Sequence, residues 1–180
     1  MATRLKLTYQ DYRLLPDDGK RYEILDGDLY VTPSPTARHQ IVSANLLSAL
    51  ADHVRLHGLG KVLTAPLDVI FAEDTIAQPD LLFISNERLP ILREWVHGAP
   101  DLVIEILSPG TQQRDRTLKR YLYARYGVRE LWLVDPEARS VEVFRLDSAA
   151  DTPLRIFANR DVLTSDLLPG LGLAVDTLWP

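Results

Sequence analysis

Two stretches of this chain combine residues that could do chemistry. "QPDLLFI" places Asp80 after a proline and before an apolar run, and "GAPDLVIEILSP" does the same with Asp101 and then sets Glu105 inside the run. A lone carboxylate in a buried strand costs several kcal/mol, of order 3–5, unless something pairs with it. Along a strand, side chains alternate, so Asp101, Val103, Glu105 and Leu107 share one face while Leu102, Ile104 and Ile106 share the other. Adjacent strands lie about 4.8 Å apart. Asp80 and Glu105 could therefore converge on one point, provided the register allows it. Two carboxylates that close repel each other and call for a cation. Magnesium suits them, being a hard ion that takes oxygen ligands and retains waters. Bound there, it could activate a water for attack on a phosphate ester, with a nearby lysine to orient that water or balance charge.

A lysine is within reach. Residues 114–129 carry Arg114, Arg116, Lys119, Arg120, Arg125 and Arg129 against Asp115 alone, so this segment stands at +5 and the rest of the chain at −10. Such a segment would attract a phosphate backbone. Plainer readings stand beside these. Glu105 could be an edge acid or half of a structural ion pair. Asp80 and Asp101 could bond loop backbone at strand starts, Asp115–Lys119 could be a surface pair four apart on a helix, and the basic segment could be a solvated face. His39 could touch a phosphate, or simply open a helix. Tyr121 reads as core, Asp135 as a turn residue, and His53, His57 and His97 as surface residues.

The elements that must position these residues follow from periodicity. Thr8 caps a helix expected over 9–15, stopped by Pro16. Asp26-Gly27 signals a β-hairpin over 21–32. Val42, Leu46, Leu50 and Val54 recur every four residues in a helix expected over 36–57, with Ser34 and Thr36 as caps and Gly58 as its stop. Strands are expected over 61–71 (broken near Pro66), 80–84 and 101–107. A second long helix over 112–126 follows, then strands through "VRELWLVDP", 140–146 and 154–158. The apolar tail "LLPGLGLAVDTLW" should dock on the body or form an interface between copies. Helix, three strands, helix, strand describes an α/β (α+β) mixed sheet flanked by helices.

The chain's 180 residues suffice for one domain spanning 1–180, and 46% hydrophobic with 25% charged is ordinary globular composition. A net charge of −5 argues against indiscriminate nucleic-acid binding, although a local basic groove remains open. The absence of cysteine removes disulfides and thiolate chemistry. No run approaches the roughly 20 apolar residues of a membrane span, and the N-terminal stretch lacks a signal-peptide core. A cytoplasmic protein without membrane contact is expected.

"RYEILDGDLYVTPSP", His39, "QPDLLFI", "GAPDLVIEILSP", "DRTLKRY" and "GVRELWLVDP" together resemble, in order, the Uma-type putative restriction endonuclease family of the PD-(D/E)XK nuclease superfamily. The resemblance spans roughly residues 9–146. It implies a restriction-endonuclease-like core with an added N-terminal helix and β-hairpin. It also implies a magnesium site (manganese substituting) that hydrolyses phosphodiesters, with nucleic acid, DNA first, as the partner, and a homodimer. Carried over by position, Asp80 and Glu105 are the metal ligands, joined by the Ile106 carbonyl. Glu23 is an acid near the site. The superfamily's lysine two residues after the second acid is here Leu107, so the role maps instead to Lys119. Two rivals predict differently: a nuclease-fold module that binds or regulates without turnover, and a purely structural protein indifferent to metal.

Overall fold

A tight reversal sets the N-terminal half. Asp26 and Gly27 take φ of 51° and 86°, the left-handed pair that a two-residue hairpin needs. They join β1 (Arg21–Leu25) to β2 (Asp28–Thr32) with Leu25 opposite Asp28, as expected. The computed structural model describes residues 5–180, so the first four residues of the polar N-terminal stretch lie outside it. Helix α1 is Tyr9–Tyr12, shorter than expected. Asp11 accepts from the Thr8 amide at 2.7 Å. Past Tyr12 the Leu14 and Leu15 amides bond three residues back, so the helix ends in turns well before Pro16.

Helix α2 (Ala37–His57) closely matches its pattern. The Thr36 hydroxyl accepts from the His39 amide at 3.3 Å, and Gly58 closes the helix at φ 63°. Thr36, not Ser34, is the cap. Val42, Leu46, Leu50 and Val54 are fully enclosed, whereas Ile41 faces outward.

The run expected over 61–71 separates near Pro66 into strands of different sheets: β3 (Gly60–Thr64) and β4 (Val69–Ala72). Strand β5 (Thr75–Ala77) was too short to stand out. Then come β6 (Leu81–Ser85), a 3-10 turn Asn86–Ile91, β7 (Val96–His97) and β8 (Leu102–Ile106). The second long helix is continuous but not uniform: α3 (Gln112–Arg114) passes into a π-helical stretch, Asp115–Lys119, and then into α4 (Arg120–Tyr126). After it lie β9 (Glu130–Asp135), β10 (Ser140–Arg145), β11 (Arg155–Ala158), β12 (Val162–Ser165) and β13 (Leu168–Ala174).

The central sheet runs β11-β10-β9-β8-β6-β3. It is mixed, with β8 parallel to β9 and its other pairs antiparallel. The hairpin belongs to a second sheet, β2-β1-β5-β4-β7, which the sequence did not separate from the first. Helix α2 covers one face of the central sheet, packing on Leu81, Phe83, Ile104 and Trp132. The other face packs Val103, Leu107, Leu131 and Leu133 against Leu122 and Tyr123 of α4, with Leu25 and Ala77 from the second sheet.

The C-terminal tail is intramolecular. Leu168, Leu171, Leu173, Val175 and Leu178 are buried in the α2 core. An interface between copies therefore does not use them.

Candidate active site

The register left open by the sequence is fixed by the β6–β8 ladder, in which Leu81 faces Ile104 and Leu82 faces Val103. One step further along this antiparallel ladder, Asp80 stands across from Glu105. Asp80 is held there by its own neighbour strand, since its Oδ2 accepts the Ile106 amide at 2.8 Å. In an extended strand a residue's N–H and C=O point to the same side, so the Ile106 carbonyl also lies on the Asp80 edge. The amide of Leu107 turns the other way, to Val134 at 2.8 Å.

Glu105 faces Lys119. The lysine Nζ donates to Glu105 Oε1 at 3.0 Å, sits 2.8 Å from Glu23 Oε1 and lies 3.9 Å from Asp115 Oδ1. All four side chains are almost completely buried. The Tyr123 hydroxyl donates to the same oxygen, Glu105 Oε1. Among the described residues none hydrogen-bonds Oε2, which is the oxygen free for a cation. Glu23 also accepts the Gln78 amide at 2.8 Å, which ties β1 to the loop just before Asp80.

His39, in the first turn of α2, reaches Asp80 Oδ2 with Nε2 at 3.2 Å, and Arg21 Nη1 stands 3.7 Å from Oδ1. A cavity of about 200 Å³ opens over this group, lined among others by Arg21, His39, Asp80, Glu105, Arg114 and Lys119.

Charge follows geometry. Burial pushes the Glu105 carboxyl up to about 8; Lys119 pulls against this, while Asp115, Asp80 and Glu23 add to it. Burial also raises Asp115. For Lys119 burial works against the charged form, but Glu105, Glu23 and Asp115 more than offset it and hold the ammonium protonated. At Asp80 burial likewise disfavours the carboxylate. The His39 and Ile106 bonds prevail, keeping it below the usual range.

Among the described residues, no three His, Asp or Glu side chains gather as a ready metal cage. Lys119 occupies the space among Glu23, Glu105 and Asp115. What remains is a two-acid donor set, Asp80 and Glu105 Oε2, beside a backbone carbonyl. That fits magnesium, which is bound through one or two carboxylates and keeps several waters.

All the residues singled out for the site thus come together: Glu23, Asp80, Glu105, Ile106 and Lys119. Asp101 does not join them; it accepts the Ser85 amide at 2.7 Å and pairs with Arg88 and Arg129 at the far end of β8. The positive segment is not a free basic face. Arg116 pairs with Asp135 and Glu142, Arg120 with Asp151, Arg125 with Asp26 and Arg129 with Asp101. Acids brought in from distant sequence neutralise it locally. Tyr121 is 63% exposed, and Tyr123 takes the interior place expected for it. Tyr123 lies one turn of ordinary α-helix beyond Lys119, on the same inward face.

Arg21, Arg114 and Tyr123 were not foreseen. Arg21 shares a strand face with Glu23 two residues on, and Tyr123 follows Lys119 by four. Those spacings were the available signals; Arg114 had none.

Comparison with known proteins bears on the fold and the family. An uncharacterized protein of Synechocystis sp. (strain ATCC 27184 / PCC 6803 / Kazusa), slr1290, is 24% identical over 162 residues, covering 89% of this chain and 84% of its own. The crystal structure of a "putative nuclease belonging to DUF820" from Anabaena variabilis ATCC 29413 matches with a TM-score of 0.80. It covers 96% of this chain and 97% of that one at 23% identity, which speaks to the fold alone. No helix among the described residues is long and apolar enough to cross a membrane. The Uma2 family model, described as "Putative restriction endonuclease", matches residues 9–176, nearly the whole chain, and the chain belongs to that family.

Proposed function

We propose that this protein is a magnesium-dependent nuclease that hydrolyses phosphodiester bonds in DNA. The observation that carries the reading is the meeting of Asp80 and Glu105 from neighbouring strands, with the buried Lys119 ammonium 3.0 Å from Glu105. Asp80, Glu105 Oε2 and the Ile106 carbonyl would hold the ion. When bound, it would lower the pKa of a water and stabilise the departing oxygen. Manganese, with similar ligand preferences, should substitute.

The chain's own groups do the rest. His39 and the Ile106 amide fix Asp80 in its ionised form. Lys119 orients the attacking water and offsets negative charge as it builds on the phosphoryl oxygens. Glu23 acts through Lys119 as a positioning residue. It holds the amine from below at 2.8 Å and is itself anchored by the Gln78 amide. The cysteine-free composition fits a reducing, cytoplasmic setting.

The test is cleavage of DNA by the purified protein with magnesium, with manganese and with neither. Glu105→Gln, which can still accept from Lys119, should reduce the metal-dependent rate by at least about 100-fold with the melting temperature kept. Wild type that binds DNA but never cuts it under either metal would move the reading to a binding or regulatory module.

A further inference from the structure

Arg114 lines the cavity with a guanidinium that makes no hydrogen bond among the described residues. Its Nη2 is 3.6 Å from Glu23 Oε2 and its Nε is 4.0 Å from Asp115 Oδ1. Both contacts exceed hydrogen-bond length, and Nε is enclosed without a partner. The side chain is 15% exposed, and of its nitrogens only Nε is sealed away from the cavity. Tyr30 stacks beneath it at 5.1 Å and sets its plane.

Across the cavity, Arg21 is half engaged. Its Nε and Nη2 donate to Gln78 at 3.3 and 2.9 Å, and Nη1 has only the 3.7 Å approach to Asp80. A buried donor left unmet is destabilising, more so when it is charged. Two incompletely satisfied arginines facing one small space are what an anion-binding site looks like before its anion arrives.

Cavity size and charge narrow the ligand. A cavity of about 200 Å³ has room for a phosphoryl group together with waters. Arginine's planar fork matches paired phosphate oxygens. Resting on the nuclease reading, we propose that Arg114 and Arg21 clamp the single phosphate that is to be cut and hold it against Asp80 and Glu105. Arg114 joins the buried acids only through the longer approaches to Glu23 and Asp115, and a phosphate would supply the hydrogen bonds those approaches do not make.

The experiment is binding of a fluorescent DNA oligonucleotide across a salt series, with calcium replacing magnesium so that nothing is cut. Arg114→Met should weaken binding by about 10- to 100-fold, the net worth of one charged hydrogen bond. It should also make the slope of log affinity against log salt shallower by about 0.7 to 0.9. Arg114→Lys should restore the slope without the affinity. The melting temperature of Arg114→Met should fall less than that of Lys119→Met, because the guanidinium gives up only the longer approaches to Glu23 and Asp115 and its contact with Tyr30. Arg21→Met gives an independent measure should Arg114→Met fail to fold.

Unchanged affinity and slope in the Met variants overturns the clamp, as does a wild type that binds no oligonucleotide. Cleavage with magnesium is scored separately. A wild type that cuts while Arg114→Met binds normally sinks the clamp and leaves the nuclease standing. A wild type that never cuts, with Arg114→Met defective in binding, does the reverse.

Discussion

Lys119 is bound to three acids, and its removal would leave Glu23 and Glu105 buried without their counter-charge. Breaking a buried pair from one side costs about 3–5 kcal/mol, so Lys119→Met should lose both activity and roughly that much stability in denaturant melts. Magnesium should return part of the stability and none of the rate. Glu105 adds a dependence on pH. Its folded carboxyl is pushed up to about 8 from an ordinary 4.5. Between those values the folded protein holds a proton that the unfolded chain has released, so metal-free stability should fall as pH rises through this window and level off above about 8. A metal needs the carboxylate, so stabilisation by magnesium should grow over the same range. Thermal melts at both ends of the window, with and without magnesium, test both signs. A metal-free protein that becomes more stable toward pH 8 would refute the assignment.

At the scale of elements, what could be read from sequence was what local periodicity and turn chemistry specify. The hairpin was legible because Asp26-Gly27 needs left-handed backbone. Helix α2 was legible because a four-residue apolar beat, a threonine cap and a glycine stop agree. Gly27→Ala should be costly on two counts: φ of 86° disfavours a side chain, and a new Cβ would meet Lys6 Cβ at 2.6 Å. A loss of about 1 kcal/mol or more is expected, measured by denaturant melts, with the fold retained. The illegible features were non-local. No pattern in residues 21–32 says that the hairpin joins a second sheet, or that Glu23 therefore reaches Lys119. The acids that neutralise Arg116, Arg125 and Arg129 come from strands and loops far along the chain. The π-helical winding of 115–119, through which Asp115 and Lys119 both lie inward, leaves no mark that ordinary helical counting can show.

For the molecule as a whole, the C-terminal tail decides whether there is a closed core. Leu168, Leu173 and Leu178 pack with Leu46 and Leu50 across α2. Burying a leucine contributes about 1.5–3 kcal/mol, and a domain's net stability is only about 5–15 kcal/mol. Truncation before Leu168 should therefore give protein that is unfolded or aggregated, seen by circular dichroism and size exclusion. A tail that served only to join copies would instead leave a folded, smaller particle. The site sits on the opposite face of the sheet from that core, so Leu50→Ala should lower stability by about 2–5 kcal/mol while the rate per folded molecule stays unchanged.

Residues 115–119 impose a last constraint, one of counting. The amine reaches the acids because a single surplus residue has been absorbed into a wider coil, turning everything downstream by about 100° relative to a regular helix. Excising the exposed Thr117 would let the backbone relax into standard winding with its hydrogen bonds intact. The shortened chain should look well formed in every spectrum and keep its ammonium among the acids, since four residues of standard winding turn about as far as five of the wider coil; a lost rate would break that arithmetic.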